Sequence, residues 1–343
     1  MIFPGMVDVH VHLRTPGGEH KEDFRTGSAA ALAGGFTMLL AMPNTQPPLV
    51  TLESWQSAQT RAQSESLCDV FLYAGASANH IDQLPVLAQH APALKIYMDQ
   101  TYGPLYVRGL ANLMPIFSVW PAAKPISVHA EGESVALAIG LAAMYKKHVH
   151  ICHVSRKSEI ELIAQAKTSG LNVTCEVTPH HLFLTDADAA RLGPYGDVRP
   201  TLGSVEDQEA LWQHLNSTID CIASDHAPHT REEKEQPEGS PPGVPGLEST
   251  LPLMLTAAAQ SRLTTTRLIE LLSTNPRQIF NLPEQADTFI EVDPLAKYTF
   301  PEHPLYTKCA WSPFSGMPMI GRLQRVVLRG REVVRDGIVL NYH

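Results

Sequence analysis

The chain has 343 residues, 44% hydrophobic and 18% charged, enough apolar side chain for a large core and too much for a disordered chain. Asp and Glu outnumber Lys and Arg by 35 to 26, a formal charge of -9, which disfavours nucleic acid and anionic membrane surfaces as partners. Five cysteines are an odd and sparse set, arguing against a disulfide framework and for a reducing, cytoplasmic setting.

The chain opens MIFPGMVDVHVHL, without the basic start and apolar run of a secretion signal, and no stretch reaches the roughly 18 apolar residues of a membrane helix. The start fits either a whole small protein or a domain of a larger one. Eight β-rich runs are then predicted: Val7–Leu13, Phe36–Met42, Asp69–Gly75, Ala93–Met98, Ile126–Ala130, Val149–Val154, Asn172–Val177 and Ile219–Ser224. Helical stretches fall between them, among them Glu22–Ala33, Leu52–Glu65, Gly132–Tyr145, Lys157–Lys167 and Val205–Leu215, with stops at Gly34-Gly35 and Gly170. Eightfold strand–helix alternation predicts a closed α/β (TIM) barrel, with an open doubly wound sheet as the rival. Thr230–Pro245 is rich in Glu, Pro and Gly and reads as a lid-like or a solvated loop. Gly321–Val339 alternates Val with Arg around RG and DG turns and reads as a small antiparallel unit. The expected division is a barrel over 1–300 and a C-terminal β extension over 301–343.

The chemistry starts with Asp8, His10 and His12. Strand alternation points these to one face and Val9, Val11 and Leu13 to the other, so the valines are expected against the helices and the histidines inside the barrel. Two imidazoles so spaced can share a metal ion, though an isolated H-x-H is as often two polar residues on a half-exposed strand. His129, His153 and Asp225 each fall at the C-terminal end of a run, the rim where barrel active sites are built. Buried polar groups without partners cost about 1–3 kcal/mol each, and a shared metal, zinc by donor type, would satisfy them together. Lys95 is either a lysine snorkelling to the barrel edge or an amine converted by CO2 to an anionic carbamate. Cys152 precedes His153, so regular alternation sends the two to opposite faces. Glu176 is expected to project into the barrel mouth while Val173, Cys175 and Val177 face away. His180 and His181 read as core or supporting histidines.

This pattern resembles the amidohydrolase superfamily of binuclear metal barrels. PGMVDVHVHLRTPGGEHKEDF, AMPNTQPP, LKIYMDQTY, ICHVSRK, VTCEVTPHHLFL, DVRP and SDHAPHT look like dihydroorotase, most of all the dihydroorotase domain of the animal multifunctional pyrimidine-synthesis protein. The resemblance runs from about Pro4 to Val339. It implies two zinc ions, one on His10, His12 and Asp225 and one on His129 and His153, bridged by carboxylated Lys95. An additional metal at Cys152 and Glu176 competes with a packed thiol and a carboxylate orienting a ligand. Arg14, Asn44 and His229 match the grip on a substrate carboxylate. Arg199 and the Pro242-Gly243 region match backbone contacts to the pyrimidine ring. Thr101 and Tyr102 match a loop that closes over substrate, with Tyr102 where the animal domain has Phe. The activity implied is reversible cyclisation of N-carbamoyl-L-aspartate to L-dihydroorotate, with Asp225 as proton carrier, in a homodimer that works beside other pyrimidine-pathway enzymes or domains. Hydantoinase, dihydropyrimidinase and allantoinase resemble the metal site too, but the Arg14, Asn44 and His229 set favours a ring carboxylate. A rival of another class is a dihydroorotase-like domain kept as an inactive scaffold.

Overall fold

Phe36–Ala41 and Val149–Ile151 are buried at every position, as strands covered on both faces must be. The computed structural model, which describes residues 1–236 and 239–340, arranges such strands as a parallel barrel wrapped by helices. After a short strand β1 (Ile2–Pro4) come β2 (Met6–Val11), β3 (Phe36–Ala41), β4 (Asp69–Leu72) with its continuation β5 (Ala74–Gly75), β6 (Leu94–Tyr97), β7 (Ile126–His129), β8 (Val149–Ile151), β9 (Val173–Val177) and β10 (Cys221–Ile222). Counting β4 and β5 as one, these are the eight predicted runs. Between them, Tyr73 donates its amide to Ala41 and Ala74 donates to Ala93, so the chain passes from one neighbour to the next. The gap between β10 and β2 closes without a regular ladder. His12 N–H donates to the His226 carbonyl at 2.7 Å, and the Asp8 carboxylate accepts the Ser224 amide. The sheet therefore closes rather than staying open.

Local chemistry sets the helix boundaries. The helix Phe24–Ala33 begins in a capping box between Asp23 and Thr26 and ends at Gly34. Thr51 with Ser54 and Ser204 with Asp207 start Leu52–Glu65 and Val205–His214 in the same way. Leu32, Trp55, Leu113, Val135, Ile160 and Leu211 bury against the outer barrel face in one core, each contributing about 1.5–3 kcal/mol.

A second apolar cluster joins Val7 and Val9 to Met38, Leu40, Tyr73, Ala93, Cys221 and Ala223, capped by Phe280 and Leu282. This corrects the expected alternation on the first strand. Val9 faces inward, and Asp8 serves the seam. A bulge between Asp8 and Val11 shifts the register against β3, so His10 and His12 also face inward while Val11 and Leu13 join the outer core.

The small sheet runs β1-β11-β12-β13-β14, where β11 is Phe289–Thr299, β12 Pro318–Leu328, β13 Arg331–Arg335 and β14 Ile338–Val339, antiparallel throughout. Both predicted turns are present, with positive φ at Arg329, Gly330, Asp336 and Gly337. The predicted division at residue 300 does not follow this sheet, because β1 and β11 lie on the barrel side of it. Ile2 pairs with Glu291 across the whole chain, a pairing that no local pattern reports. The sheet seats on the helix Leu247–Ala259. At Gly321, φ is +95° and a Cβ would come 2.7 Å from Leu255, so the close approach requires glycine.

Candidate metal centre and substrate pocket

Every residue singled out for the metal centre lies at the C-terminal rim or just below it, and all are nine-tenths or more buried. His10 donates Nδ1–H to Glu176, and His12 donates Nδ1–H to Asn44 Oδ1 at 2.8 Å. Each ring thereby keeps its Nε2 lone pair free, and both point at one oxygen. His10 Nε2 is 3.3 Å and His12 Nε2 3.2 Å from Asp225 Oδ1. Burial pushes His12 down to about 4, although Asp225 opposes it, so the ring is neutral at neutral pH. Burial pulls the Asp225 carboxyl upward, but His10 and His12 outweigh it and hold the group well below the usual carboxylate range. Two lone pairs and an anion meeting without a proton suit a cation between them. His129 Nδ1 and His153 Nε2 stand 2.8 Å apart, and His153 Nδ1 is buried without a partner among the described residues. Burial lowers both of these rings as well, which leaves neutral donors.

Lys95 does not snorkel. It is fully buried in β6, donates to Cys152 Sγ at 3.0 Å, and has no ion-pair partner among the described residues. Cys152 and His153 both reach the interior, against the expected alternation. The strand ends at Ile151, and His153 takes a left-handed backbone, φ 36°, which turns its ring inward. Glu176 projects inward as expected, between His10 and His150 Nε2, the latter at 3.1 Å. Burial pulls its carboxyl upward, but His10 and His150 overcome this and lower it. Donor atoms of His10, Cys152 and Glu176 lie within 4.8 Å of one another. Burial raises the Cys152 thiol, against the nearby Lys95.

A cavity opens directly above, lined by the four candidate metal-donor histidines, Arg14, Asn44, Thr101, Tyr102, Arg199 and Gly243. The sequence-derived residues thus converge. Arg14 follows the bulged strand with φ 59°, and its Nε donates to the Pro228 carbonyl at 3.1 Å. Its Nη2 lies 3.0 Å from His229 Nε2. Asn44 follows β3 and donates Nδ2–H to the Tyr102 carbonyl at 3.0 Å, fastening the 101–102 loop. Arg199 turns its side chain onto Asp197 and the Val198 carbonyl. Gly243, φ +140°, is held by its amide on the Asp197 carbonyl at 2.9 Å.

Other members escaped the sequence reading. Lys21 appeared there only as a letter within EHKEDF, a composition that suggests solvent, yet its side chain is buried beside His229 and Tyr102. Glu233 lies in the Thr230–Pro245 segment, of which 237–238 fall outside the described residues. That segment starts as a short helix, Arg231–Lys234, capped by Thr230. Lys234, also unnoticed, is fully buried and donates to the carbonyls of Asp197, Pro241 and Gly243. Tyr97 lines the cavity with a buried hydroxyl that has no partner among the described residues. His180 Nε2 is likewise buried and unpartnered, while His181 is satisfied by Thr178 and the Pro200 carbonyl. His226 is a seam residue bonded to Glu22.

The fold and this rim define an amidohydrolase barrel. L-Hydantoinase from Arthrobacter aurescens superposes with a TM-score of 0.94 at 28% identity, over 99% of this chain and 86% of that one. The inactive dihydroorotase-like domain of a Chaetomium thermophilum CAD-like multifunctional protein gives 0.84 at 27%, over 99% and 96%. A family profile described as Dihydro-orotase-like matches residues 1–84. The multifunctional protein CAD of Squalus acanthias is 48% identical over 98% of this chain, and the chain spans 15% of that protein's length. Dihydroorotase of Methanosphaera stadtmanae is 33% identical over the whole chain and 87% of its own length. The chain belongs to the dihydroorotase family.

Proposed function

We propose that this chain interconverts N-carbamoyl-L-aspartate and L-dihydroorotate with two zinc ions, in the cytoplasmic synthesis of pyrimidines. The observation that carries the reading is the meeting, in one cavity, of a candidate metal-donor set with Arg14 and Asn44, the former backed by buried His229 at 3.0 Å, a cluster suited to a carboxylate. His10, His12 and Asp225 would hold one ion and His129 and His153 the other, with Lys95 as its carbamate between them. A buried amine lacking a counter-anion supports that modification. An additional ion at Cys152 and Glu176 would require the His10 Nδ1 proton, now shared with Glu176, to leave; without that ion these two are a packed thiol and a carboxylate orienting His10.

Bound zinc supplies acidity to a water molecule and polarises the ring carbonyl. The chain's own residues do the rest. Arg14 offers a planar fork to the substrate carboxylate, with His229 beside it, which fixes the ring over the rim. Asn44 holds both His12 and the 101–102 loop. Asp225, held ionised, accepts the attacking water's proton and passes it to the ring nitrogen as the C–N bond breaks; cyclisation reverses these transfers.

The test is turnover of dihydroorotate, compared with dihydrouracil, by metal-loaded protein of measured stoichiometry. Asp225→Ala should lose at least about 10²-fold in kcat, the scale of general acid–base catalysis, while keeping most of its metal. An active Asp225→Ala protein would remove that residue from the proton path. Likeness to an inactive domain favours a second reading, a non-catalytic scaffold. A metal-free, inert wild-type chain would decide for it. Here all six donor positions are filled. The assembly we propose is a homodimer, alone or within a longer pathway polypeptide; exposed Tyr106, Leu110 and Met114 offer apolar surface for it.

A further inference from the structure

His10, His12 and His129 are each gripped through the ring nitrogen that points away from the metal centre. Glu176 grips His10 and Asn44 grips His12. For His129 the partner is Glu131, whose Oε1 lies 3.2 Å from Nε2, while Nδ1 faces His153 Nε2 at 2.8 Å. His153 Nδ1 has no partner among the described residues. Of the two histidines assigned to the second ion, only His129 therefore has a side chain behind it among the described residues.

The partner's chemistry settles where the His129 proton sits. A carboxylate oxygen accepts a hydrogen bond and donates none. A proton on Nδ1 would set the Nε2 lone pair against an anion. A proton on Nε2 makes a charge-assisted hydrogen bond and leaves the Nδ1 lone pair toward the centre.

The Glu131 side chain is one-third exposed and water competes for its oxygens, so its aim depends on the backbone that carries it. That backbone is pinned from two sides. Asp99 Oδ2 accepts the Glu131 amide at 2.8 Å, and Asp99 Oδ1 accepts the Ser134 hydroxyl at 3.2 Å. Glu159, which is buried, accepts the Gly132 amide on Oε1 at 2.8 Å. Its Oε2 accepts the Ser155 and Arg156 amides at 3.1 Å, in the turn that follows His153. The turn after β7 is thus stapled to the chain leaving β6 and to the chain leaving β8.

We propose that Glu131 is a positioning residue that fixes His129 with Nε2–H outward and the Nδ1 lone pair on the second metal ion, and that Asp99 and Glu159 hold the Glu131 backbone where it does so. This inference rests on the two-zinc reading for what the ring binds, and not for which nitrogen carries its proton.

Two measurements test it. In the first, bound zinc per chain is followed across a series of chelator-buffered free-zinc concentrations. For Glu131→Ala, one ion should need about tenfold more free zinc for half-occupancy, as for a lost partner behind a ligand, with the other within about threefold of wild type. Glu131→Gln keeps an acceptor oxygen at that place and should bind both ions within about threefold of wild type. Wild-type binding by Glu131→Ala, an equal loss of both ions, or a Gln variant as weak as Ala overturns the proposal. In the second, wild-type protein carries ¹⁵N-labelled histidine. The assigned His129 ring should show a protonated Nε2 and an unprotonated Nδ1, and the reverse assignment overturns the proposal as well. A wild-type chain that binds fewer than two ions would sink the two-zinc reading, and the nitrogen signals would still decide the role of Glu131.

Discussion

Arg14, His153 and Asp225 adopt left-handed backbone conformations, with φ of 59°, 36° and 45°. Such conformations cost about 1–3 kcal/mol each away from glycine and persist only where the surroundings enforce them. Each of these three residues leaves a strand end and must swing its side chain over the rim, so the strain sits where aiming matters. Arg14 also shows why charge alone does not suffice. Its Nε is committed to the Pro228 carbonyl and its Nη2 lies beside His229 Nε2, while the residue lines the cavity. Arg14→Lys keeps the cation and loses that division of labour, so KM for dihydroorotate should rise at least about tenfold with metal content unchanged. Steady-state kinetics with metal analysis checks it, and an unaltered KM would show that the carboxylate is held elsewhere.

Among elements, the bulged first strand and the 239–245 loop do the positioning. One extra residue between Asp8 and Val11 lets Val9 fill the interior while His10 and His12 still face inward. In the loop, Lys234 replaces a hydrophobic core: its ammonium gathers three carbonyls, one of them that of Gly243 on the cavity wall. Lys234→Met would remove this donor from the Pro241 and Gly243 carbonyls, while the Asp197 carbonyl keeps the Gly243 amide, at about 1–3 kcal/mol for each that stays buried and unpaired. The expected outcome is a lower Tm, faster proteolytic cleavage within 235–245 and a raised KM. A variant matching wild type in all three would show that the loop holds itself.

For the whole molecule, the barrel and the small sheet are joined where Glu248, on the helix Leu247–Ala259, accepts the amides of Tyr306 and Thr307 beside a cavity between the two units. Burial pushes this carboxyl from 4.5 up to about 8. A folded-state value above the unfolded one means that the folded chain binds more protons between those limits. Its contribution to stability is therefore complete below about pH 4.5 and lost as pH rises through about 8. Glu248→Gln cannot titrate, so the difference in Tm between pH 5 and pH 9 should narrow, by about 2–4 °C per kcal/mol recovered. An unchanged pH profile would remove Glu248 from the coupling.

Strand spacing, strand-end histidines and capping residues are local properties. The eight runs, the helix starts and the strand-end placement of the candidate metal donors could therefore be read from order alone, His129 at the end of Ile126–His129 being the plainest case. Three things were decided only by folding: the pairing of Ile2–Pro4 with β11, the inward phase of both Val9 and His10, and the burial of Lys21 and Lys234. Each depends on partners far away in the chain, such as Glu291, Leu39, Glu233 and the Asp197 carbonyl. A charged or strand-forming residue has no side of its own until the rest of the polypeptide encloses it.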